Sequence, residues 1–279
     1  MRDMNHYRNL LALHGAVLLF GLAAVAGKYL NLPAVLLVAG RSGFAALALW
    51  GWLRMTRAGP GSGWHRDVLG CGLLLAIHWW TFFQSILLGS VATGLLGWAS
   101  YPLFVAVLEP WCFGEPRRTG DLWRAALVGA GIAVVATERT TQVSLMGLAW
   151  GVASGLSFAG LTLANRRLST RLQPAQLAFW QNAGAAIWML PWLHIPADMG
   201  RGQWLGLVAL GVGCTALAHS LFMFCLRQLP ARLVSVTAAL EVVYGVLLAA
   251  WLLHEWPSLQ VLAGMALILV ATVWATRRR

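Results

Sequence analysis

The sequence predicts an all-α integral membrane protein whose ten transmembrane helices form two inverted five-helix repeats. Three observations predict it: ten apolar stretches of membrane-spanning length, cationic residues gathered in alternate connections, and a register match between the two halves of the chain. The 279 residues are 59% hydrophobic and 10% charged, and no long polar segment interrupts them. A hydrocarbon core about 30 Å thick takes roughly 20 helical residues to cross, so a chain of this length with short connections holds about ten helices.

The spans fall in order along the chain. The first, 10–30, follows Arg2 and Arg8, and the second, 33–53, ends before Arg54, Arg57 and Arg66. The third and fourth, 68–88 and 91–113, lead to Arg117, Arg118 and Arg124, which open the fifth, 122–138. The sixth, 145–165, is Gly-rich and runs into Arg166, Arg167 and Arg171 before the seventh, 174–194. The eighth, 203–226, is also Gly-rich and ends at Arg227; Arg232 opens the ninth, 231–253, and the tenth, 257–276, stops at Arg277, Arg278 and Arg279. Of the 20 basic residues only Lys28, Arg139 and Arg201 lie on the opposite side, and Arg41 lies inside a span. Cytoplasmic loops collect such a surplus, which puts both termini in the cytoplasm of a cell that carries the chain in its inner membrane. The run after Arg8 ending in Ala24-Val25-Ala26 has the look of a cleaved signal, but its removal would put the charge alternation out of step, so it reads as a retained first helix.

A formal charge of +11 would suggest nucleic acid in a soluble protein. Here it is spread over six short segments with no domain to form a groove, so no nucleic-acid partner is expected. Cys71, Cys112, Cys214 and Cys225 all fall within spans without a CxxC pair and read as small buried side chains. No HExxH or comparable spacing suggests a metal, and no cofactor is expected.

The duplication shows in two places. The second span begins PAVLLVAGRSGFAALAL at 33–49 and the seventh PAQLAFWQNAGAAIWML at 174–190, sharing Pro, Ala, Leu, Gly, Ala and Leu without gaps. Near the ends of the fifth and tenth spans, Leu127, Gly129 and Val135-Ala136-Thr137 match Leu262, Gly264 and Val270-Ala271-Thr272. The repeats are therefore 1–140 and 141–279. Five helices are an odd number, so the halves enter the membrane with opposite polarity, an architecture many secondary transporters use with their site near the midplane.

With these residues in place the chain resembles the drug/metabolite transporter superfamily, in particular its EamA-like ten-helix exporters. Phe20-Gly21 followed by Lys28 is similar to the family's Trp-Gly…Lys pattern, Arg41 to its second-helix Arg, Pro102 to its fourth-helix proline, and Trp150-Gly151 opens the sixth span; Glu115 and Glu255 close the fourth and ninth. Phe20 replaces the usual Trp, and Val242 stands where a ninth-span proline would mirror Pro102. The resemblance implies export of a small metabolite driven by a proton gradient.

The polar residues within spans supply the candidate site. An ionisable group at bilayer depth costs about 2.5–3.5 kcal/mol on insertion scales, so it faces a cavity or a partner. Counting from span ends puts Arg41, His78, Tyr101, Gln181, Asn182 and Glu241 near the middle, with Arg41 opposite Asn182 and Tyr101 opposite Glu241 in the repeat alignment. Arg41 cannot shed its proton and needs an acceptor; it is either a structural or gating residue or the ligand of a substrate carboxylate, with Glu241 as its best countercharge. Glu241 is either the group that exchanges a proton with each side in turn or a fixed partner of Arg41. Glu109 shares a stripe of the fourth span with Trp98 and Tyr101 and is either a second proton site or an inner-gate acid. Lys28 is a gate residue or a side chain snorkelling to the interface. His78 and His219 are proton relays or neutral buried imidazoles. Glu138 and the span-closing Glu115 and Glu255 read as solvated or interfacial.

Trp79, Trp98, Tyr101 and Tyr244, together with Trp80 and Trp180, offer aromatic faces within the spans, whereas Trp50, Trp52, Trp111, Trp192, Trp204, Trp256 and Trp274 suit interfacial belts. Gly147, Gly151 and Gly155 form a ridge for close helix approach, and Pro102 loosens the helix beside Tyr101. Both signs of charge plus aromatics at the midplane predict a secondary transporter that exports a small amphipathic metabolite, an amino acid or related compound, by proton antiport. Its partners are that small molecule, protons and the lipid bilayer, with monomer or dimer left open. An exporter of organic cations or drugs is the alternative within the fold. An integral-membrane enzyme is the alternative of another class, but no nucleophile or metal set serves it, so the chain is read as a non-enzyme.

Overall fold

The computed structural model describes residues 2–59, 66–114, 119–137, 144–168, 172–229 and 231–277, and among these every regular element is helical. The first half holds α1 (Arg2–Leu30), α2 (Ala34–Met55), α3 (Arg66–Leu88), α4 (Val91–Trp98), α5 (Tyr101–Phe113) and α6 (Thr119–Ala136). The second holds α7 (Leu145–Leu168), α8 (Pro174–Met189), α9 (Arg201–Gly211), a π-helical turn (Val212–Leu217), α10 (Ala218–Gln228), α11 (Ala231–Leu253) and α12 (Leu259–Arg277). Six stretches are long and apolar enough to cross a membrane: Tyr7–Leu30, Ala34–Met55, Val68–Leu88, Val91–Phe113, Leu145–Asn165 and Arg201–Phe222. Ala126–Ala136, Leu240–Leu253 and Leu259–Ala271 are shorter apolar helices.

The seventh predicted span ends its α-helix at Met189 and continues as a 3-10 turn, Leu190–Trp192, and the fourth and eighth are interrupted within, each for a local reason. The fourth breaks at Ala99-Ser100, because Pro102 has no N–H to give the carbonyl of Trp98. The second part restarts with a Leu103 N–H bond to the Ser100 carbonyl of 3.0 Å. In the eighth, the π turn widens the helix, and the Thr215 hydroxyl donates to the Leu210 carbonyl at 2.8 Å. Such turns concentrate where a helix is bent to a purpose.

The tightest packing joins the halves rather than holding each together. α3 lies along α7 and α8, α2 along α8 and α9, α1 along α11 and α10, α4 and α5 along α7, and α6 along α12. Two crossings bring backbones into contact through glycine. A Cβ on Gly21 of α1 would stand 2.8 Å from the Gly245 nitrogen and 3.3 Å from the Glu241 carbonyl of α11. A Cβ on Gly151 of α7 would stand 2.9 Å from the Gly97 Cα and 3.3 Å from the Thr93 carbonyl of α4. Gly147 and Gly155 continue that ridge, against the Ser85 carbonyl at the end of α3 and against the α4–α5 break. The core these crossings close includes Leu36, Leu37, Trp79, Phe83, Leu95, Leu207 and Val242.

Candidate functional site

Arg41 is the centre of the polar cluster. It is 3% exposed on α2, and its Nε and Nη2 donate to the Thr215 hydroxyl oxygen at 3.2 and 2.9 Å. That oxygen can accept because its own proton is committed to Leu210. The guanidinium carbon stands 3.9 Å from the centroid of the Trp79 ring and 5.4 Å from that of Phe83, a cation–π seat between α2, α3 and the π turn. Glu241 interacts electrostatically with Arg41 and with Tyr101. Among the described residues, however, no carboxylate lies within 4.0 Å of Arg41, and the hydrogen-bond partner is neutral Thr215 rather than the expected Glu241. The fixed ion pair is therefore not formed in this conformation.

Around this centre the helices bring up three further groups. His78 Nδ1 on α3 stands 2.8 Å from the Ser154 hydroxyl of α7, which lies 3.1 Å from the His78 carbonyl; an Nδ1–H donor and a hydroxyl donating onward satisfy all three atoms. His219 Nδ1 is 2.9 Å from the Thr215 carbonyl, and its ring packs on Phe20 at 5.0 Å and Trp79 at 6.5 Å. At the α4–α5 break, Trp98 stacks on Tyr101 with centroids 5.4 Å apart, and both meet Phe158 of α7 edge-on. The proline at 102 thus turns two aromatic faces toward α7.

On α8, Gln181 hydrogen-bonds Asn165 of α7, whereas Asn182 donates from Nδ2 to the Ala178 carbonyl at 2.8 Å. Four buried polar atoms have no hydrogen-bond partner among the described residues: Ser42 Oγ, Asn182 Oδ1, Trp98 Nε1 and Ser100 Oγ.

Other candidates stand apart from the cluster. Tyr244 donates to or accepts from His14 Nδ1 at 2.7 Å and packs on a separate core of Leu13, Val17, Cys225 and Leu229. Lys28 does not snorkel alone: its Nζ donates to the carbonyls of Ile86 and Gly89 and lies 3.7 Å from Glu255 Oε1. Glu255, expected to be solvated or interfacial, is partly buried and also accepts from the Val91 N–H at 2.8 Å, capping α4. Glu109 is half-buried on α5, Cys112 is exposed rather than buried, and Glu115 and Glu138 lie outside the described residues. The α1–α11 and α7–α4 crossings both place glycine on glycine, Gly21 on Gly245 and Gly151 on Gly97.

Sequence reasoning missed Thr215, Ser154 and Ser42. Thr215 had a signal, a hydroxyl at the end of Gly211-Val212-Gly213-Cys214 inside an apolar span, and Ser154 sits within the glycine ridge it crosses. Ser42 had none beyond adjacency to Arg41.

Comparison with known proteins agrees with this architecture. The EamA-like transporter family model matches the chain twice, at residues 8–137 and 145–277. An uncharacterized transporter, YxxF, of Bacillus subtilis (strain 168) is 26% identical over 272 residues, covering 91% of this chain and 87% of that protein. The biotin transporter of Salmonella typhimurium is 27% identical over 248 residues, covering 85% of this chain and 82% of its own. That of Escherichia coli (strain K12) is 24% identical over 261 residues, covering 90% and 87%. A solved crystal structure superposes with a TM-score of 0.69 over 97% of each chain at 20% identity, a likeness of fold. Matched by the family model over both halves, the chain belongs to the EamA-like transporter family and is a multi-pass membrane transporter.

Proposed function

We propose that this chain is a secondary transporter for a small amphipathic carboxylate, an amino acid or related compound, moved outward across the inner membrane in exchange for protons. The observation that carries the proposal is Arg41. Burying a permanent cation is expensive unless it is paired, and this guanidinium has a ring beneath it and one neutral oxygen along one edge. Its remaining N–H groups suit a carboxylate, the anion a guanidinium binds with two parallel bonds. Trp79 and the Trp98–Tyr101 stack supply apolar faces for the rest of such a molecule. The relatives named biotin transporters fit the same chemistry, since biotin carries a carboxylate on an apolar chain.

Two inverted five-helix repeats, 1–140 and 141–279, with both termini cytoplasmic, form the machine in this reading. The double family match and the paired crossings of α1 on α11 and α7 on α4 support it. Alternating access then opens the Arg41 cluster to each side in turn. Glu241 carries the proton in this reading: it lies within the electrostatic reach of Arg41 without being bonded to it, so its protonation state and the field that Arg41 presents to a substrate are linked. Purified protein in proteoliposomes tests this with labelled amino acids and biotin, with and without a pH gradient. Gradient-dependent flux is expected, and Glu241→Gln should abolish it while leaving the protein in the membrane. Normal gradient-driven flux in that variant refutes the proton role, and flux of organic cations but no carboxylate refutes the substrate class.

A further inference from the structure

The α2–α8 interface holds two unpartnered polar atoms that the carboxylate site does not use. Ser42 is fully buried and Asn182 is 3% exposed. Neither Ser42 Oγ nor Asn182 Oδ1 has a hydrogen-bond partner among the described residues. Because Asn182 Nδ2 is committed to the Ala178 carbonyl, the orphan atom is an acceptor.

Ser42 and Asn182 lie on two helices that pack along each other. Ala45 and Leu49 form a small core with Ala216, against which Ala178 and Phe179 of α8 pack. Ser42 stands on the same stripe of α2 as Ala45 and Leu49, and Asn182 stands one turn beyond Ala178 on α8. The helices run antiparallel, so one turn from Ala45 to Ser42 and one turn from Ala178 to Asn182 advance in the same direction. Ser42 is also the chain neighbour of Arg41.

A buried polar atom left without a partner costs folding free energy, and evolution has an apolar side chain available at either position at no cost in volume. We propose that Ser42 Oγ and Asn182 Oδ1 form a second subsite, which accepts hydrogen bonds from an N–H group of the molecule whose carboxylate Arg41 holds. The inference rests on the carboxylate reading and deepens it. It specifies a substrate bearing an acid at one end and an N–H donor near it, and excludes simple fatty or aryl acids as good substrates. The ammonium of an amino acid satisfies it directly, and a ureido N–H of biotin does so when the pentanoate chain folds back toward the ring.

Thermal stabilisation of the purified protein by matched probes provides the test, since a ligand that binds the folded state raises its melting point. The probes are phenylalanine against 3-phenylpropanoate, and biotin against the thiolane pentanoate that lacks the ureido ring. In the unaltered protein the N–H-bearing member of at least one pair should bind about tenfold more tightly than its partner, the scale of one or two buried hydrogen bonds. Asn182→Leu should erase that preference while leaving the weaker acid's affinity unchanged, and Ser42→Ala should reduce it. Ser42→Ala deletes only an unpartnered hydroxyl, so it should fold and, without ligand, melt no lower than the unaltered protein. A preference that survives both substitutions overturns the subsite and leaves Arg41's role standing. Equal affinities within both pairs in the unaltered protein also overturn it. Failure of all four acids, with Arg41→Gln no different from the unaltered protein, overturns the carboxylate reading itself and the subsite with it. The phenylalanine and biotin arms separate an ammonium from a neutral ureide as the donor.

Discussion

At the scale of single residues, the site depends on how one guanidinium is held. Arg41 meets Trp79 with its face and Thr215 with one edge, which leaves the orientation of its other N–H groups fixed rather than free. Thr215→Val keeps the volume and removes the oxygen. A hydrogen bond to a charged group is worth about 1.5–3 kcal/mol, so carboxylate affinity should fall by roughly 10–100-fold while affinity for uncharged analogues stays level. Isothermal titration against an acid that the unaltered protein transports and against its amide measures that split, and an equal loss for both would assign Thr215 to folding alone. Arg41→Lys keeps the charge but not the planar fork, and it should retain assembled protein with weakened carboxylate binding. Loss of assembled protein in Arg41→Lys would instead mark the residue as structural.

At the scale of elements, the glycine crossings set which helices pack backbone against backbone. Gly151 lets α7 touch the backbone of α4, and Gly21 does the same for α1 on α11. Gly151→Leu has no room, because a Cβ alone already stands 2.9 Å from the Gly97 Cα, with backbone on the other side that cannot rotate away. Overpacking of this kind costs about 1–3 kcal/mol, and the variant should melt several degrees lower in detergent and carry less flux. Gly15, with nothing near its ideal Cβ, is the control: Gly15→Ala should leave the melting point unchanged or slightly raised. The α4–α5 break and the π turn are the other element-scale features. Both interrupt a helix beside the site, one at Pro102 and the other where the Thr215 hydroxyl bonds to Leu210.

At the scale of the whole molecule, one end is fastened by charge across the two halves. Lys28 caps the end of α3 and pairs with Glu255, which caps the start of α4. The pair is partly exposed, so its Coulomb part is worth less than about 1 kcal/mol, and the helix-end bonds carry the rest. Lys28→Met should therefore loosen this end and raise the labelling rate of a cysteine placed at Val91, and Glu255→Gln should do so less than additively with it, because the two act on one contact. Strict additivity of labelling free energies would separate them. Much of this architecture was legible in the chain: the places of the apolar helices, the Arg41 candidate and the glycine ridge follow from length, hydrophobicity and residue type, which bilayer thickness and buried charge constrain locally. The Arg41 partner, the attachment of Tyr244 to His14 and the Lys28–Glu255 fastening were not, because each joins residues far apart in sequence through side chains that several helices could have met. The sequence by itself determined that this protein crosses the membrane many times with a cation inside it. Only the tertiary structure decided what that cation rests on, since helix rotation and crossing angle, which no single span encodes, choose between a neutral threonine and a carboxylate.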